Sequence, residues 1–537
     1  MFNRIVTIAI FLITTCVQAQ DNRYMVFFKD KTGTPYTISA PEQFLSARAI
    51  ERRNRQGIAV NERDMPVVPG YVQAIKDLGV EVMYPTRWMN GVLVQCPSTS
   101  LPVIESLSFV QGTEFVAPGE KPFSSGRRKF NARKASASGD QPTDNQLTMI
   151  GIPDMHDAGY HGEGMIIAVF DAGFEGVNTA EAFQPVFSED RLNTTVSYDF
   201  VYDQPDVFRH DDHGTGVLSV IAGYVPDAFT GGAYKANYQL YVTEDVKSEY
   251  RIEEYNWLFA AERADSAGAD IINSSLGYNT FDLSSMDYSK SDLDGQTAVV
   301  SKAAQLVSQR GMIVVCSAGN EGNNSWQLIT PPADNKYVLA AAAVNSLGER
   351  SVTSSVGPSA DGRIKPDVAA LGVGVTIIKP SGSIGTSSGT SFSSPLIASL
   401  VAGVWQRYPD LKATEITNAI RSSASQANNP DVFLGYGMPN FKAVVNMLEW
   451  KPQEELLVVY PNPVVDTLTI RPRSPIEVST CRVEVISLQG QTIADRQIEF
   501  DWLDRDFQTD FSDLASGMYF LRIWIDKQIF SYKLIKI

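Results

Sequence analysis

The middle of the chain alternates short apolar runs with longer stretches of helical composition. Four of the apolar runs span residues 165–170, 271–272, 312–315 and 338–344. Uninterrupted apolar runs are typical of strands that are buried on both faces of a sheet. Helical patterns lie between them, as at residues 252–267 and 297–310. Residues 145–447 are therefore predicted to form an α/β domain, a parallel sheet covered by helices on both faces.

Two smaller regions flank this domain. In residues 21–120, strand-like runs such as 24–28 alternate with helical stretches such as 41–53, which predicts a small α+β domain. Residues 455–537 hold five short strand-like runs and predict a small β-sandwich. The length of 537 residues is consistent with several such domains.

Residues 121–144 separate the first two domains and lack apolar periodicity. Five basic residues lie there among small and polar ones: Arg127, Arg128, Lys129, Arg133 and Lys134. This composition is typical of a solvated linker that proteases can reach. The linker is either a simple tether or a maturation site, and we favour maturation.

The first residues have the pattern of an export signal. Asn3 and Arg4 precede an apolar run over residues 5–13, and a small-residue cleavage site follows at Val17-Gln18-Ala19. This order predicts a secretory signal peptide over residues 1–19. The apolar run is shorter than the roughly 20 residues that a membrane-spanning helix needs. No later segment is apolar enough to span a bilayer, so we expect no transmembrane anchor.

Charge and cysteine content argue against a nucleic-acid-binding protein and against a fold held together by disulfides. There are 61 acidic and 45 basic side chains, for a net charge of -16. This balance argues against a nucleic-acid partner, since binding to phosphates needs a basic face. Beyond the signal peptide the cysteines are Cys96, Cys316 and Cys481, an odd and widely spaced set that is no disulfide framework.

Candidate catalytic side chains stand where strands end and helices begin. Asp171 directly follows the apolar run 165–170, and His213 precedes a predicted helix. Active sites of open parallel sheets form at the carboxyl ends of the strands, where a carboxylate can orient an imidazole. His210 lies three residues before His213, but no third ligand is placed convincingly nearby, so we expect no metal site.

Ser391 and Asn320 occupy comparable positions. Ser391 lies just before an apolar helix, where free N–H groups favour a developing anion. Asn320 closes the turn after the strand 312–315, and its amide is a candidate oxyanion donor. Taken alone, Ser391 would be read as a helix N-cap and Asn320 as a turn residue.

Together these segments carry a family resemblance. Four of them resemble the signature segments of the subtilases, in the order of that family: Asp171-Ala172-Gly173, His213-Gly214-Thr215, Ala318-Gly319-Asn320 and Gly389-Thr390-Ser391-Phe392-Ser393-Ser394-Pro395. The resemblance covers about 300 residues and implies a serine endopeptidase that forms an acyl-enzyme. It implies Asp171, His213 and Ser391 as the triad and Asn320 as the oxyanion donor.

The resemblance also implies a substrate cleft. At two positions, however, the sequence departs from the pattern of the family. The cleft would be lined by Ser275, Leu276, Gly277, Ser317, Ala318 and Gly319. Ala172 stands where the family usually has Ser or Thr, which removes one possible hydrogen bond to the catalytic carboxylate. Gly216 stands where a second histidine is common. Both changes affect fine tuning, and we expect the triad to function without them.

The resemblance also suggests roles for the two flanking domains. Residues 21–120 resemble propeptides that assist folding and block the cleft until they are cleaved. Segments 460–463 and 514–521 look like those of a C-terminal sorting domain of Bacteroidota. That domain implies the type IX secretion machinery as a partner and a secreted or cell-surface location, reached through the periplasm. The alternative for this region is an accessory substrate-binding sandwich.

Partners and cofactors follow from the same reading. We expect protein or peptide substrates, a monomeric enzyme and no cofactor in the chemistry. Structural calcium is common in the family, and the Asp-rich stretches 199–206 and 282–294 could bind it, but neither has a recognisable ligand loop. The rival function is a catalytically silent binding protein with the same fold. An esterase or lipase is disfavoured because no Gly-x-Ser-x-Gly elbow surrounds Ser391.

Overall fold

The computed structural model of the chain describes residues 21–119, 143–449, 457–472, 480–499, 507–525 and 528–537. The predicted signal peptide and nearly all of the predicted linker lie outside these residues. The described chain divides into two compact units. The first contains residues 21–35 and 66–119, and the second contains residues 36–65 and everything from residue 143 onward.

The first unit is a small antiparallel sheet with helices. In chain order, residues 21–119 form β1 (Asp21–Phe28), α1 (Ala47–Gln56), α2 (Pro69–Lys76), β2 (Glu81–Thr86), β3 (Gly91–Pro97), α3 (Leu101–Glu105) and β4 (Val110–Pro118). All of these except α1 belong to the first unit, whose strand order is β2-β3-β1-β4. Its core is built from alternate strand residues such as Val26, Val92 and Val94, with Ile75 and Ile104 from the helices. This is the α+β arrangement that the sequence predicts.

Residues 143–449 supply the large α/β part of the second unit. Its strands are β5 (Ile166–Asp171), β6 (Tyr198–Asp199), β7 (Tyr224–Val225), β8 (Phe229–Thr230), β9 (Asn237–Val242), β10 (Ile271–Ser274), β11 (Ile313–Ser317), β12 (Leu339–Val344), β13 (Val368–Leu371), β14 (Val375–Ile378) and β15 (Ile384–Ser387). Its helices are α4 (Asp144–Thr148), α5 (Ile152–Asp157), α6 (Gln184–Ser188), α7 (His213–Ala222), α8 (Ile252–Ala267), α9 (Val299–Ser308), α10 (Thr390–Arg407), α11 (Ala413–Ser422) and α12 (Phe441–Glu449).

Seven of these strands form one sheet, and four of them, β5, β10, β11 and β12, coincide with the predicted apolar runs. The order is β13-β12-β11-β10-β5-β9-β6, and neighbouring strands run parallel. Strand β9 was not predicted, because Gln239 interrupts its apolar run, although the side chain of Gln239 is buried. Helices α7 and α10 are buried along nearly their whole length, so each is held on all sides by the core.

The C-terminal region forms two antiparallel sheets around a core of its own. Its strands are β16 (Leu457–Tyr460), β17 (Thr467–Pro472), β18 (Thr480–Ser487), β19 (Thr492–Glu499), β20 (Phe507–Asp510), β21 (Gly517–Ile525) and β22 (Gln528–Lys536). One sheet has the order β16-β17-β20 and the other β19-β18-β21-β22. Apolar residues such as Leu468, Val485 and Leu521 fill the core. Among the described residues, no helix is both long and apolar enough to cross a bilayer.

Helix α1 packs with the second unit, although its neighbours in sequence belong to the first. Arg52 Nη2 lies 2.5 Å from Asp265 Oδ1, and Arg53 Nη2 lies 2.8 Å from Asp265 Oδ2. Arg52 also donates to the carbonyl oxygens of Ala269 and Arg310. Burial lowers the pKa of Arg52 to about 10, against the opposing attraction of Asp265. The predicted domain 21–120 is thus divided, because buried partners over 200 residues away hold one of its helices.

These contacts predict a large stability difference between two arginines of α1. Arg52→Met leaves buried acceptors without their donor, and we expect it to lower the free energy of unfolding by about 3 kcal/mol. Arg55 on the same helix is exposed, so Arg55→Met should change stability by no more than about 0.5 kcal/mol. Denaturant unfolding of the full-length chain, in a Ser391→Ala background, measures both. Equal effects of the two variants would contradict an anchoring role for Arg52.

Candidate active site

The ends of three neighbouring strands define the site. Strand β10 lies between β5 and β11, and Ser274 pairs with Phe170 on one side and with Cys316 on the other. Asp171 and Ser317 are the last residues of β5 and β11, and Ser275 directly follows β10, so the three residues lie at one level along the same edge of the sheet. This is the edge at which open parallel sheets place their active sites.

A hydrogen bond joins the first two candidate residues. His213 Nδ1 donates to Asp171 Oδ1 at 2.7 Å, and Asp171 is fully buried. His213 is the first residue of α7, whose start lies tightly against the end of β5. A Cβ on Gly214 would lie only 2.4 Å from the carbonyl oxygen of Gly173, so only glycine allows this approach. Gly214 therefore allows α7 to begin close enough to β5 for the imidazole of His213 to bond to the carboxylate of Asp171.

The charges around His213 favour its protonated form. Burial lowers the pKa of His213, but the charge of Asp171 and its hydrogen bond raise it more, so the pKa lies above its ordinary value of 6.5. Asp211 and Asp212 add to this rise. Asp211 Oδ1 also accepts a hydrogen bond from the His213 backbone N–H at 2.8 Å. Asp171 thus holds the imidazole in place, and the charges of Asp171, Asp211 and Asp212 all raise the pKa of His213.

One oxygen of the buried carboxylate lacks a partner. Asp171 Oδ1 accepts bonds from His213 and from the Ala172 backbone N–H at 2.8 Å. Asp171 Oδ2 is buried and has no hydrogen-bond partner among the described residues. This agrees with the expectation that Ala172 removes a hydroxyl that could have bonded to the carboxylate.

Ser391 lies in the first turn of α10, at the same edge of the sheet. Its hydroxyl donates to the Ser275 carbonyl oxygen at 3.3 Å, and the Ser275 hydroxyl donates to the Ser391 carbonyl oxygen at 2.8 Å. The ring of Phe392, the next residue, lies 5.7 Å from the ring of His213. The helix start is thereby joined both to the end of β10 and to the imidazole.

Asn320 lies beside the same helix start. Its Oδ1 accepts bonds from the Thr390 backbone N–H at 3.0 Å and from the Thr390 hydroxyl at 3.1 Å. Since these bonds orient the amide, its Nδ2 group is directed away from Thr390. Asn320 and Ser391 line one cavity, so the candidate oxyanion donor and the candidate nucleophile border a common space.

The cavity has a volume of about 570 Å³ and contains most of the predicted cleft residues. Ser275, Leu276, Gly277, Ser317 and Gly319 line it. Ala318 differs from the expectation, because its side chain is fully buried and packs in a core cluster behind the wall with Leu293, Ile329, Ala333 and Ala340. Alternation along the chain turns the side chain of Ala318 away from that of Ser317, the last residue of β11.

Several residues that line the cavity belong to none of the recognised motifs and were not predicted. Thr330 and Trp326 come from the segment after Asn320, and Glu244 follows β9 by two residues. Had β9 been recognised, the strand-end argument would have pointed to Glu244 as it did to Asp171. The charged residues of the lining are mainly acidic: Glu244, Glu249, Asp282 and Glu321 against Lys247. The cavity therefore disfavours anionic ligands.

The candidate metal ligands have other partners. The ring of His210 stacks on that of Tyr202 at 3.9 Å, whereas His213 bonds to Asp171. In the Asp-rich stretches, carboxylates such as Asp199 and Asp294 accept bonds from nearby backbone N–H groups, as turns require. Within the part of the chain that the structure describes, the carboxylates that converge are those of Glu244, Glu249 and Glu253, each with an oxygen within 4.8 Å of the others, and they lie outside both stretches.

Comparison with known families agrees with this geometry. The subtilase family model matches residues 162–438, more than half of the chain. The chain belongs to the subtilase family. It is accordingly a serine endopeptidase, as its resemblance implied. A peptidase S8 propeptide domain of Bacteroidota matches residues 23–133 of this subtilase, and a secretion system C-terminal sorting domain matches residues 458–537. These two domains indicate a secreted or cell-surface protein.

Individual relatives are distant in sequence. Subtilisin NAT of Bacillus subtilis subsp. natto is 28% identical over 302 residues, which cover 55% of this chain and 70% of that protein. Fervidolysin from Fervidobacterium pennivorans has a TM-score of 0.55 at 16% identity, over 94% of this chain and 71% of that one. An epidermin leader peptide processing serine protease from Staphylococcus aureus has a TM-score of 0.55 at 15% identity, over 80% of this chain and 100% of that one. The two structures support the fold.

The pKa of His213 generates a pH prediction for this subtilase. Asp211→Asn keeps the oxygen that accepts the His213 N–H but removes a negative charge, so the pKa of His213 should fall. The neutral imidazole then persists to lower pH, and the acidic limb of the kcat/KM profile should move to lower pH. Profiles of wild type and variant on one peptide measure this. An unchanged or upward shift would contradict the charge effect of Asp211.

The unpartnered oxygen of Asp171 generates a stability prediction. Ala172→Ser places a donor beside Asp171 Oδ2, and we expect the free energy of unfolding to rise by about 1 kcal/mol. Ala172→Cys has nearly the same shape but a weak donor and should give little or no gain. Denaturant unfolding in a Ser391→Ala background, which prevents self-digestion, compares the two. A loss of stability in Ala172→Ser would show that the hydroxyl does not reach the carboxylate.

Proposed function

We propose that this subtilase hydrolyses peptide bonds with Asp171, His213 and Ser391 as its catalytic triad. The observation that carries the proposal is the 2.7 Å bond from His213 Nδ1 to the buried Asp171, at the sheet edge where Ser391 begins α10. Asp171 holds the imidazole in the tautomer whose Nε2 accepts a proton. This proton transfer requires the Ser391 hydroxyl to donate to His213 Nε2 instead of the Ser275 carbonyl oxygen.

The remaining steps follow from the same residues. Ser391 Oγ attacks the scissile carbonyl carbon, and His213 passes the proton to the leaving amine. The Ser391 backbone N–H and Asn320 Nδ2 stabilise the oxyanion, a role that is supported by both residues lining the same cavity. A water molecule then releases the acyl group by the reverse sequence. No step needs a metal or an organic cofactor.

We further propose a maturation route for the secreted enzyme. The signal peptide over residues 1–19 directs export to the periplasm, and the type IX machinery recognises the C-terminal domain. Cleavage within the basic linker 121–144 separates the propeptide from the catalytic domain. The mature enzyme acts as a monomer on protein or peptide substrates outside the cell.

Hydrolysis of a labelled, unfolded protein tests the catalytic proposal. Ser391→Ala should lower turnover by roughly 10⁴- to 10⁶-fold, and a serine-directed phosphonylating inhibitor should abolish activity and add its mass at Ser391. Ser381→Ala is the matched control, because that serine is exposed and should leave the rate unchanged. If wild type and Ser391→Ala are equally inert after verified removal of the N-terminal domain, the chain is a silent binding protein instead.

A further inference from the structure

Helix α1 is bound at the end of the catalytic sheet that lies opposite to the candidate active site. Arg48 Nη2 lies 2.5 Å from Asp270 Oδ2 and 2.6 Å from the carbonyl oxygen of Gly164. Asp270 directly precedes β10, and its Oδ2 also accepts the N–H of Ile166, the first residue of β5. Neighbouring strands run parallel, so their first and last residues lie on opposite edges of the sheet. The helix can therefore stay in place without obstructing the cavity.

Polar side chains of α1 bond to the backbone at the ends of three helices of the catalytic domain. Arg52 donates to the carbonyl oxygens two residues after α8 ends and two residues after α9 ends. Gln56 Nε2 donates to the Gly311 carbonyl oxygen at 2.6 Å, and its Oε1 accepts the N–H of Ala413, which begins α11, at 2.9 Å. Helix C-termini favour donors and positive charge. The catalytic domain therefore offers α1 a set of matched backbone partners.

Buried ion pairs hold the same helix. Arg52 and Arg53 both contact Asp265 of α8, and all three residues are at most 2% exposed. Asp64, which follows α1, extends the network to Arg310, whose Nε lies 2.8 Å from Asp64 Oδ1. Because water does not reach these groups, their bonds cannot be exchanged for bonds to water one at a time. Buried, hydrogen-bonded charge pairs of this kind slow the dissociation of a complex. We therefore expect α1 to leave the catalytic domain very slowly.

The chain on either side of α1 is open to solvent. Most residues of 37–43 and of 57–63 are exposed, whereas α1 itself buries four side chains. Exposed connecting segments are preferred sites of cleavage. Cuts in these two segments and in the linker 121–144 would separate α1 from the rest of the N-terminal region and leave the contacts of the helix itself in place. Loss of that region and retention of α1 are therefore compatible.

We infer that α1 is a permanent component of the mature enzyme, which stays on the catalytic domain after the linker is cut and stabilises it. The inference rests on the proposed maturation route and changes its product to a catalytic chain with a bound α1 peptide. The ends of α8, α9 and α11 then form a binding site for this segment of the same chain. Because α1 lies at the opposite edge of the sheet, it acts on stability and leaves the candidate catalytic residues untouched.

Heat inactivation of enzyme matured from full-length chains tests the inference. Arg52→Met removes bonds of α1, and Arg55→Met alters an exposed side chain of the same helix. If α1 is retained, the Arg52→Met enzyme should lose activity about fivefold faster than wild type, and the Arg55→Met enzyme at the wild-type rate. If α1 is released, the three mature enzymes are the same molecule and must inactivate at one rate, which would overturn the inference. Arg52→Lys, a milder change, replaces Arg52→Met if that chain does not fold.

A second measurement does not depend on activity. In the full-length Ser391→Ala chain, recognition sequences of a site-specific protease are introduced within residues 37–43, 57–63 and 121–144. After cleavage and gel filtration, denaturing mass spectrometry should find the α1 peptide in an amount equal to that of the catalytic chain. A folded catalytic chain without this peptide would overturn the inference. Failure of wild type to cleave unfolded protein would instead count against the proposed function, and this measurement would still decide the fate of α1.

Discussion

The parallel pairing of β5, β10 and β11 is the constraint on which the site depends. Their backbone hydrogen bonds align Phe170, Ser274 and Cys316, so the residues that follow emerge at one level. Because these strands are buried on both faces, a shift in register would disturb the packing of two helical layers. Helices α7 and α10 then carry His213 and Ser391 to this edge. The geometry of the candidate active site is therefore a consequence of the sheet.

Buried charge serves two purposes in this molecule. At the active site, Asp171 is paired with His213 and raises the pKa of the imidazole, which is a functional effect. At helix α1, Asp265 is paired with Arg52 and Arg53, which attaches a propeptide helix to the catalytic unit. In both places the carboxylate is fully buried and would be costly without its partner.

The attachment of α1 has a consequence for maturation. Cleavage within residues 121–144 would cut the chain but would leave the ion pairs of α1 intact. On the proposed maturation route, departure of the propeptide would require separating Arg52 and Arg53 from Asp265, and Asp64 from Arg310. On that route, release of the propeptide would depend on the loss of these contacts as well as on cleavage.

The amino-acid sequence alone determined the α/β class and the placement of the candidate triad. Apolar runs mark β5 and β11 because buried parallel strands need them, and the motifs around Asp171, His213, Asn320 and Ser391 stand at element ends. Tertiary structure alone decided which segments meet. It placed α1 with the second unit, turned Ala318 into the core and brought the Thr330 hydroxyl between Gly277 and Gly319. Local patterns record the burial of a residue but not its distant partner, since contacts between remote segments depend on the packing of the whole domain.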